Sequence, residues 1–307
     1  MKKVLVATEK PFAPAAVEQI KMVVDEAGYE FELLEKYAEH ADLVNAVKTA
    51  DAVIVRSDKV TEDVIAGTDT MKIVVRAGAG YDNVDLAAAT AKGVVVMNTP
   101  GQNSNAVAEL ALGMMISLAR NGYNGKAGTE LRGKNIGIHA FGNVGRYVSQ
   151  IAKGFGMNVY AFDPFVSAET IKEAGVTPVD TADELYSTCQ YISLHIPAND
   201  KTKKSIGKEI LGKMPKGAVL VNTARKEVIN EEELLEFMAE RSDFGYISDI
   251  APDCAAEIAE KFDGRYFFTP KKMGAQTAEA NINAGVAAAE QIRDFFEKGD
   301  TSCQVNK

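Results

Sequence analysis

The chain has 307 residues, with 34 Lys and Arg against 43 Asp and Glu and a formal net charge of −9. That balance, without a basic cluster, argues against a nucleic-acid partner, and no apolar run approaches the roughly 18 residues needed to span a membrane. Cys189, Cys254 and Cys303 are scattered and His40, His139 and His195 show no ligand spacing, so the expectation is reduced thiols, no metal site and a cytoplasmic protein.

The amino-terminal MKKVLVATEK is a short strand behind two lysines, its apolar core too brief for a signal peptide. Val4 to Ala7 reads as that strand and Ala15 to Val24 as a helix. Phe31 to Leu34, Ala52 to Val55, Ile73 to Val75 and Val94 to Met97 follow as strands, with helical stretches near 41–50, 60–66 and 85–92 between them. Alternating strands and helices predict a parallel sheet covered on both faces. Two loops at strand ends stand out: Val55-Arg56-Ser57-Asp58 places an arginine there, and Arg76-Ala77-Gly78-Ala79-Gly80 offers backbone N–H groups that could converge on an anion. Ligands of open α/β sheets bind at carboxyl ends of strands. Asn103 or Ser104 can cap the next helix, Asn105 to Arg120, and the glycines at 122, 125 and 128 are the expected hinge between domains.

From Asn135 to Asp163 the chain reads strand, glycine turn, helix, strand, acidic tip. Ile136 to Ile138 leads into Ala140-Phe141-Gly142-Asn143-Val144-Gly145, an amphipathic helix follows, and Val159 to Phe162 ends at Asp163. This is the order of a dinucleotide-binding βαβ unit. Gly142 lets the backbone approach a pyrophosphate, Gly145 lets helix and strand pack closely, and the helix start supplies N–H groups and a positive dipole. Asp163, 18 residues past Gly145, is placed for the ribose hydroxyls and would repel a 2′-phosphate, which favours NAD over NADP. Ala140 stands where this motif usually has its first glycine, which is tolerable if its φ stays negative.

Beyond Asp163 the alternation continues. A helix is expected near 168–174, and strands at Val176 to Val179 and at Tyr191 to Leu194, the latter ending in His195-Ile196-Pro197. Val219 to Val221 ends in Asn222-Thr223-Ala224-Arg225, and a helix at Glu231 to Glu240 precedes Gly245 to Ile250, a strand ending near Asp249. Tyr266 to Phe268 leads to Thr269-Pro270-Lys271-Lys272 and a last helix, Ala278 to Lys298. The class is α/β, with two Rossmann-like domains whose parallel sheets are flanked by helices. Residues 1–98 and 280–307 are expected to form a discontinuous substrate domain, and 99–279 the nucleotide domain. The chain stops about ten residues after its last helix, so no carboxy-terminal regulatory domain is expected.

The sequence resembles the D-isomer-specific 2-hydroxy acid dehydrogenases, and within them the phosphoglycerate dehydrogenases. The matching stretches are VRAGAGYDNVD, AAATAKGVVVMNTPGQNSNAVAEL, GTELRGKNIGI, FGNVG, LHIP and VNTAR. The resemblance implies NAD as cofactor, two similar α/β domains with a cleft between them, a homodimer, and oxidation of 3-phosphoglycerate to 3-phosphohydroxypyruvate at the start of serine synthesis. It places His195, Ile196 and Pro197 near the adenine end, and Thr223, Ala224 and Asp249 also on the cofactor. Arg225 would hold the carboxylate and carbonyl, with Gly78 and Gly80 on the same carboxylate and Ala79 also at the substrate. Arg56, Ser57, Arg76, Asn103 and Ser104 would surround the substrate, Arg56 being the candidate for a phosphate. A related reductase of glyoxylate or hydroxypyruvate and a non-catalytic NAD-binding protein are the alternatives.

The chain departs from the family at the catalytic positions. A histidine usually follows Thr-Pro, and here Lys271-Lys272 does; counting from Pro270 selects Lys271, counting back from Gly274 selects Lys272. The partner glutamate's position falls on Cys254, and N-x-A-R continues with Lys226 and Glu227 instead of two glycines. A free lysine titrates near 10.4, so acid/base work at neutral pH requires burial or a neighbouring guanidinium such as Arg225 to lower it. His139, inside a strand, is expected to be a packed structural histidine, and Cys254 a small filler.

Overall fold

The computed structural model describes residues 1–307. Two compact units emerge, Met1–Asn103 with Gln276–Lys307 and Ser104–Ala275. The chain therefore crosses at 103/104 and 275/276, where the sequence suggested 98/99 and 279/280. Physical reasons are local: Thr99 N donates to Gly78 O within the first unit, and Thr277 accepts from Ala280 N as the cap of the last helix. The glycine cluster at 122–128 is not the crossing. It folds back within the second unit, where Thr129 N donates to Ala119 O.

The first unit holds β1 (Lys3–Thr8), β2 (Glu30–Glu35), β3 (Ala52–Val55), β4 (Ile73–Arg76) and β5 (Val95–Asn98), in the order β2-β1-β3-β4-β5. All four pairings are parallel. Side-chain alternation divides its core. Val4 and Val6 face the helices α1 (Pro14–Glu26) and α12 (Ala278–Lys298), while Leu5 and Ala7 face α2 (His40–Ala46), α3 (Glu62–Ala66) and α4 (Leu86–Lys92). Both faces are covered, as continuous apolar strands require. The chain's end is tied down here, since Val305 N donates to Val96 O and Asn306 Oδ1 accepts from Val96 N.

The second unit is a seven-stranded parallel sheet in the order β12-β11-β10-β9-β6-β7-β8. Its strands are β6 (Asn135–His139), β7 (Asn158–Phe162), β8 (Thr177–Pro178), β9 (Tyr191–Leu194), β10 (Val219–Asn222), β11 (Gly245–Ser248) and β12 (Tyr266–Phe268). The helices α5 (Ser104–Ala119) and α6 (Asn143–Gly154) share one apolar core with Ile136, Ile138, Val221 and Ile247. The opposite core gathers Leu185, Ile192, Leu220, Leu234 and Ile258, from α8 (Ala182–Thr188), α10 (Glu231–Glu240), α11 (Ala255–Lys261) and the strands they cover. The remaining helices are α7 (Ala168–Glu173) and α9 (Lys208–Leu211). The strand order reverses between β6 and β9, the topological switch at which such sheets place a nucleotide. No helix is long and apolar enough to cross a membrane.

Candidate active site

The glycine turn comes first, because it fixes where a dinucleotide can lie. Gly142 is the N-cap of α6 and offers no side-chain cap, which leaves the first-turn amides without protein partners and available to an anion. Asn143 and Gly142 are exposed there, Val144 is half-buried, and Gly145 is buried. A Cβ at Gly145 would lie 2.4 Å from Ala140 O and 2.8 Å from Ile138 Cγ2, so only glycine lets α6 sit this close to β6.

Ala140 does not meet the condition under which its methyl group is tolerable without strain: its φ is +79°, in the left-handed region. The turn keeps the shape that glycine would give it, at the cost of a methyl group in a conformation L-residues avoid by about 1–2 kcal/mol. Asp163 holds that shape. Its Oδ2 accepts from Phe141 N at 2.7 Å and its Oδ1 from Phe165 N at 2.8 Å, leaving further lone pairs for hydroxyl donors.

Two histidines line the strand ends at the switch. His139 Nδ1 is 3.1 Å from Tyr186 Oη, and burial lowers its pKa to about 4, opposed by Asp163. His195 Nε2 is 2.9 Å from Ser193 Oγ and Nδ1 is 3.5 Å from Thr223 Oγ1; burial and then His139 lower its pKa to about 3. Both rings are neutral at physiological pH and hold hydroxyl partners. Ile196 is buried, whereas Pro197 is exposed, its carbonyl accepting from Thr202 Oγ1.

At the carboxyl end of β10, Asn222 locks the turn that carries Arg225. Its Oδ1 accepts from Ala224 N and its Nδ2 donates to Arg225 O, both at 3.0 Å. Arg225 is exposed, and its Nη1 donates to Ala224 O at 3.1 Å. The same carbonyl oxygen accepts from Lys272 Nζ at 2.5 Å. One oxygen thus holds both cations, which lie no farther apart than those two distances laid end to end. Lys271 is exposed and takes no part in this arrangement.

Crowding has a direct electrostatic effect. Burial first, then the Arg225 charge, lowers the Lys272 pKa to about 8, while Asp249 and Glu227 pull it upward. The residue as a whole stays exposed, because the stem is open to solvent even as Nζ turns onto the protein. That opening screens part of the effect; burial of the ammonium and the Arg225 guanidinium on the same acceptor both act downward.

Asp249 is 1% exposed and does not present its carboxylate to solvent. Cys254 offers no carboxylate to Lys272. Its N–H and that of Asp253 instead cap onto Glu231 at 2.9 and 3.1 Å, and burial pushes its thiol up to about 12. A cavity of about 680 Å³ lined by Lys204, Lys226, Glu227, Ile229, Leu235 and Cys254 includes neither Lys272 nor the glycine turn, and its Lys226 is paired with Asp253.

The first unit carries two arginines at strand ends, in different states. Arg56, the candidate for a phosphate, already spends several of its donors within the unit. It donates to Pro11 O at 3.1 Å, Lys10 O at 3.3 Å and Asn281 Oδ1 at 2.5 Å, and stacks over Phe12 at 5.1 Å. Arg76 is not committed: its Nε is buried with no partner, and Nη1 has one long bond of 3.5 Å to Ala77 O. Its guanidinium lies over Gly78, where a Cβ would stand 1.5 Å from Nη1. Burial, then Arg56, lowers the Arg76 pKa. Ser57 and Ala79 are exposed, Gly80 and Asn103 half-buried; Ser104, which opens α5 in the other unit, is buried.

Asn222 and Asp249's loop partners were not singled out in the sequence as supports of Arg225 and Lys272. The Asn of the N-x-A-R stretch is the signal that pointed to the first; nothing in the spacing pointed to the second.

This geometry defines a class. Residues 114–261 match the NAD binding domain of the D-isomer specific 2-hydroxyacid dehydrogenases, and the chain belongs to that family. Its fold overlays an NAD⁺-bound 3-phosphoglycerate dehydrogenase of Entamoeba histolytica with a TM-score of 0.85 at 48% identity, covering 100% of this chain and 99% of that one. A D-3-phosphoglycerate dehydrogenase of Methanocaldococcus jannaschii is 38% identical over 271 residues, 82% of this chain and 51% of that protein. A hydroxypyruvate reductase of Thermotoga maritima is 36% identical over 289 residues, 88% of this chain and 92% of that protein. The chain spans about half the length of the first of these curated relatives.

Proposed function

We propose that the protein is an NAD-dependent D-2-hydroxy acid dehydrogenase that interconverts D-3-phosphoglycerate and 3-phosphohydroxypyruvate, the entry to serine synthesis. One observation carries the reading: Arg225 and Lys272 converge on Ala224 O at a strand end of an NAD-binding sheet. Bound NAD would take or supply the hydride at C2. Arg225 would hold the carboxylate and polarise the carbonyl. Lys272, in place of the family histidine, would donate a proton to the C2 oxygen during reduction and accept it during oxidation.

Gly142, Asn143, Val144 and Gly145 would cradle the diphosphate, Asp163 the adenosine ribose, and His195, Ile196 and Pro197 the adenine end. Thr223 and Ala224 would approach the nicotinamide. For the substrate, Arg76 supports the reading best, with an unpartnered buried Nε and a like-charged neighbour whose repulsion a phosphate or carboxylate would relieve. Gly78, Ala79, Gly80, Ser57, Asn103 and Ser104 remain assigned to substrate with it. Three unpaired cysteines support a reducing, cytoplasmic setting, and a homodimer is the assembly the family likeness suggests.

A second reading changes only the substrate, to hydroxypyruvate or glyoxylate, and the committed state of Arg56 together with the Thermotoga maritima relative favours it. NADH oxidation with 3-phosphohydroxypyruvate, beside hydroxypyruvate and glyoxylate, decides. The proposal predicts at least a tenfold preference in kcat/KM for the phosphorylated acid. Equal rates would select the second reading, and no NADH oxidation on any of them would leave an NAD-binding protein without turnover.

A further inference from the structure

We infer that Asp249 is a positioning residue for Lys272, clamping the loop that carries the lysine so that Nζ is held on Ala224 O beside Arg225. The inference rests on the reading of Lys272 as the acid/base group and deepens it. Sequence likeness placed Asp249 against the cofactor; the residue is 1% exposed, and three donors of the lysine's own loop lie on its carboxylate. Oδ1 accepts from Met273 N at 2.7 Å and from Thr269 Oγ1 at 3.2 Å, and Oδ2 accepts from Gly274 N at 2.8 Å. The clamp therefore grips the loop on both sides of Lys272, at 269 before it and at 273 and 274 immediately after.

Close approach is built into the loop as well. A Cβ on Gly274 would stand 2.7 Å from Asp249 Oδ2, so the two-amide grip closes only over a glycine. Asp249 sits just past β11, itself paired in register with β10 and β12. The clamp is thus anchored on the same rigid sheet that carries Ala224 and Arg225. A lysine on a free loop would swing its ammonium into water, since four rotatable bonds give it no preferred direction. Here the backbone on either side is fixed, which confines Nζ to one carbonyl.

Positioning and simple charge make opposite predictions for one measurable quantity. If Asp249 acts only through its negative charge, which pulls the Lys272 pKa upward, Asp249→Asn must lower that pKa. If Asp249 positions the loop, Asp249→Asn sets an amide N–H₂ against a backbone N–H and releases the grip. Lys272 then moves toward water and its pKa rises toward the free value near 10.4.

The experiment measures the pH dependence of Lys272 labelling by acetic anhydride, read by mass spectrometry, in the full chain with NAD bound. It compares wild type with Asp249→Asn and with Gly274→Ala, which displaces the loop while keeping the carboxylate. Both variants are expected to move the Lys272 titration upward and to lower kcat on the order of a hundredfold, as a misplacement of about 1 Å does. A downward shift in Asp249→Asn overturns the inference in favour of charge alone. Weakened NAD binding with an unmoved lysine titration overturns it in favour of cofactor contact. If either variant fails to fold, the other still gives the answer. Wild-type turnover undiminished by Lys272→Ala would sink the acid/base reading itself, while the labelling shift would still report whether Asp249 positions the loop.

Discussion

Acid should destabilise the nucleotide unit through its two half-buried histidines before its carboxylates titrate, and the size of the effect follows from their surroundings. His139 and His195 have folded pKa values lowered to about 4 and about 3, both chiefly by burial, against about 6.5 in the unfolded chain. The unfolded state therefore binds the proton first. Stability is at its maximum above pH 6.5 and is lost as pH falls toward the folded values. Between pH 6.5 and pH 5 the loss is about 1.6 kcal/mol for each histidine, or roughly 3 kcal/mol together. Urea unfolding read by hydrogen exchange at the β6 and β9 amides reports this unit alone. His139→Asn keeps a polar atom near Tyr186 Oη and removes the titration, so about half of the pH dependence should vanish. Stability that is flat from pH 6.5 to 5, or unchanged in slope in His139→Asn, would refute the claim that these rings stay neutral in the folded chain.

Three further outcomes follow from the geometry. Ala140→Gly relieves a left-handed alanine worth about 1–2 kcal/mol and loses about 0.4–1 kcal/mol to unfolded-chain entropy; chemical denaturation should show a small net gain in stability, whereas Ala140→Val should lose it. Gly145→Ala forces a Cβ against Ala140 O and should weaken NAD binding by about tenfold or more, as calorimetry would record. Arg76→Met should raise KM for the phosphorylated substrate by about tenfold or more, while Arg56→Met should cost stability and leave KM within about threefold; the reverse pattern would restore Arg56 as the substrate cation.

Hydrophobic runs made the sheets legible, because buried parallel strands such as β3 and β10 are continuous apolar stretches ended by polar residues. Short helices were harder. The helix α8 announces itself only by Thr181 and Glu184, three residues apart, whose cap bond is made, and α11 opens at Cys254 without a side-chain cap. The expected strand at 176–179 shrinks to Thr177–Pro178, since proline cannot continue a ladder. At the site, residue types were readable but their commitments were not. Nothing in the sequence tells that Arg56 spends its donors on Pro11, Lys10 and Asn281 while Arg76 keeps one free. The sign of φ at Ala140 is likewise imposed by the close packing of α6 on β6, not by alanine. Counting along the chain left Lys271 and Lys272 one residue apart; the difference between them is a single carbonyl, Ala224 O, reached by one and not the other.

The most direct test is the pH profile of NADH oxidation on 3-phosphohydroxypyruvate by wild type, Lys272→Ala and Lys271→Ala. An ammonium acid at 272 predicts that kcat/KM falls about tenfold per pH unit above about 8 in wild type and in Lys271→Ala. In Lys272→Ala the rate should drop by a hundredfold or more, in keeping with the loss of a general acid, and the limb near pH 8 should disappear. A Lys272→Ala enzyme with wild-type turnover and an unchanged profile would contradict the account.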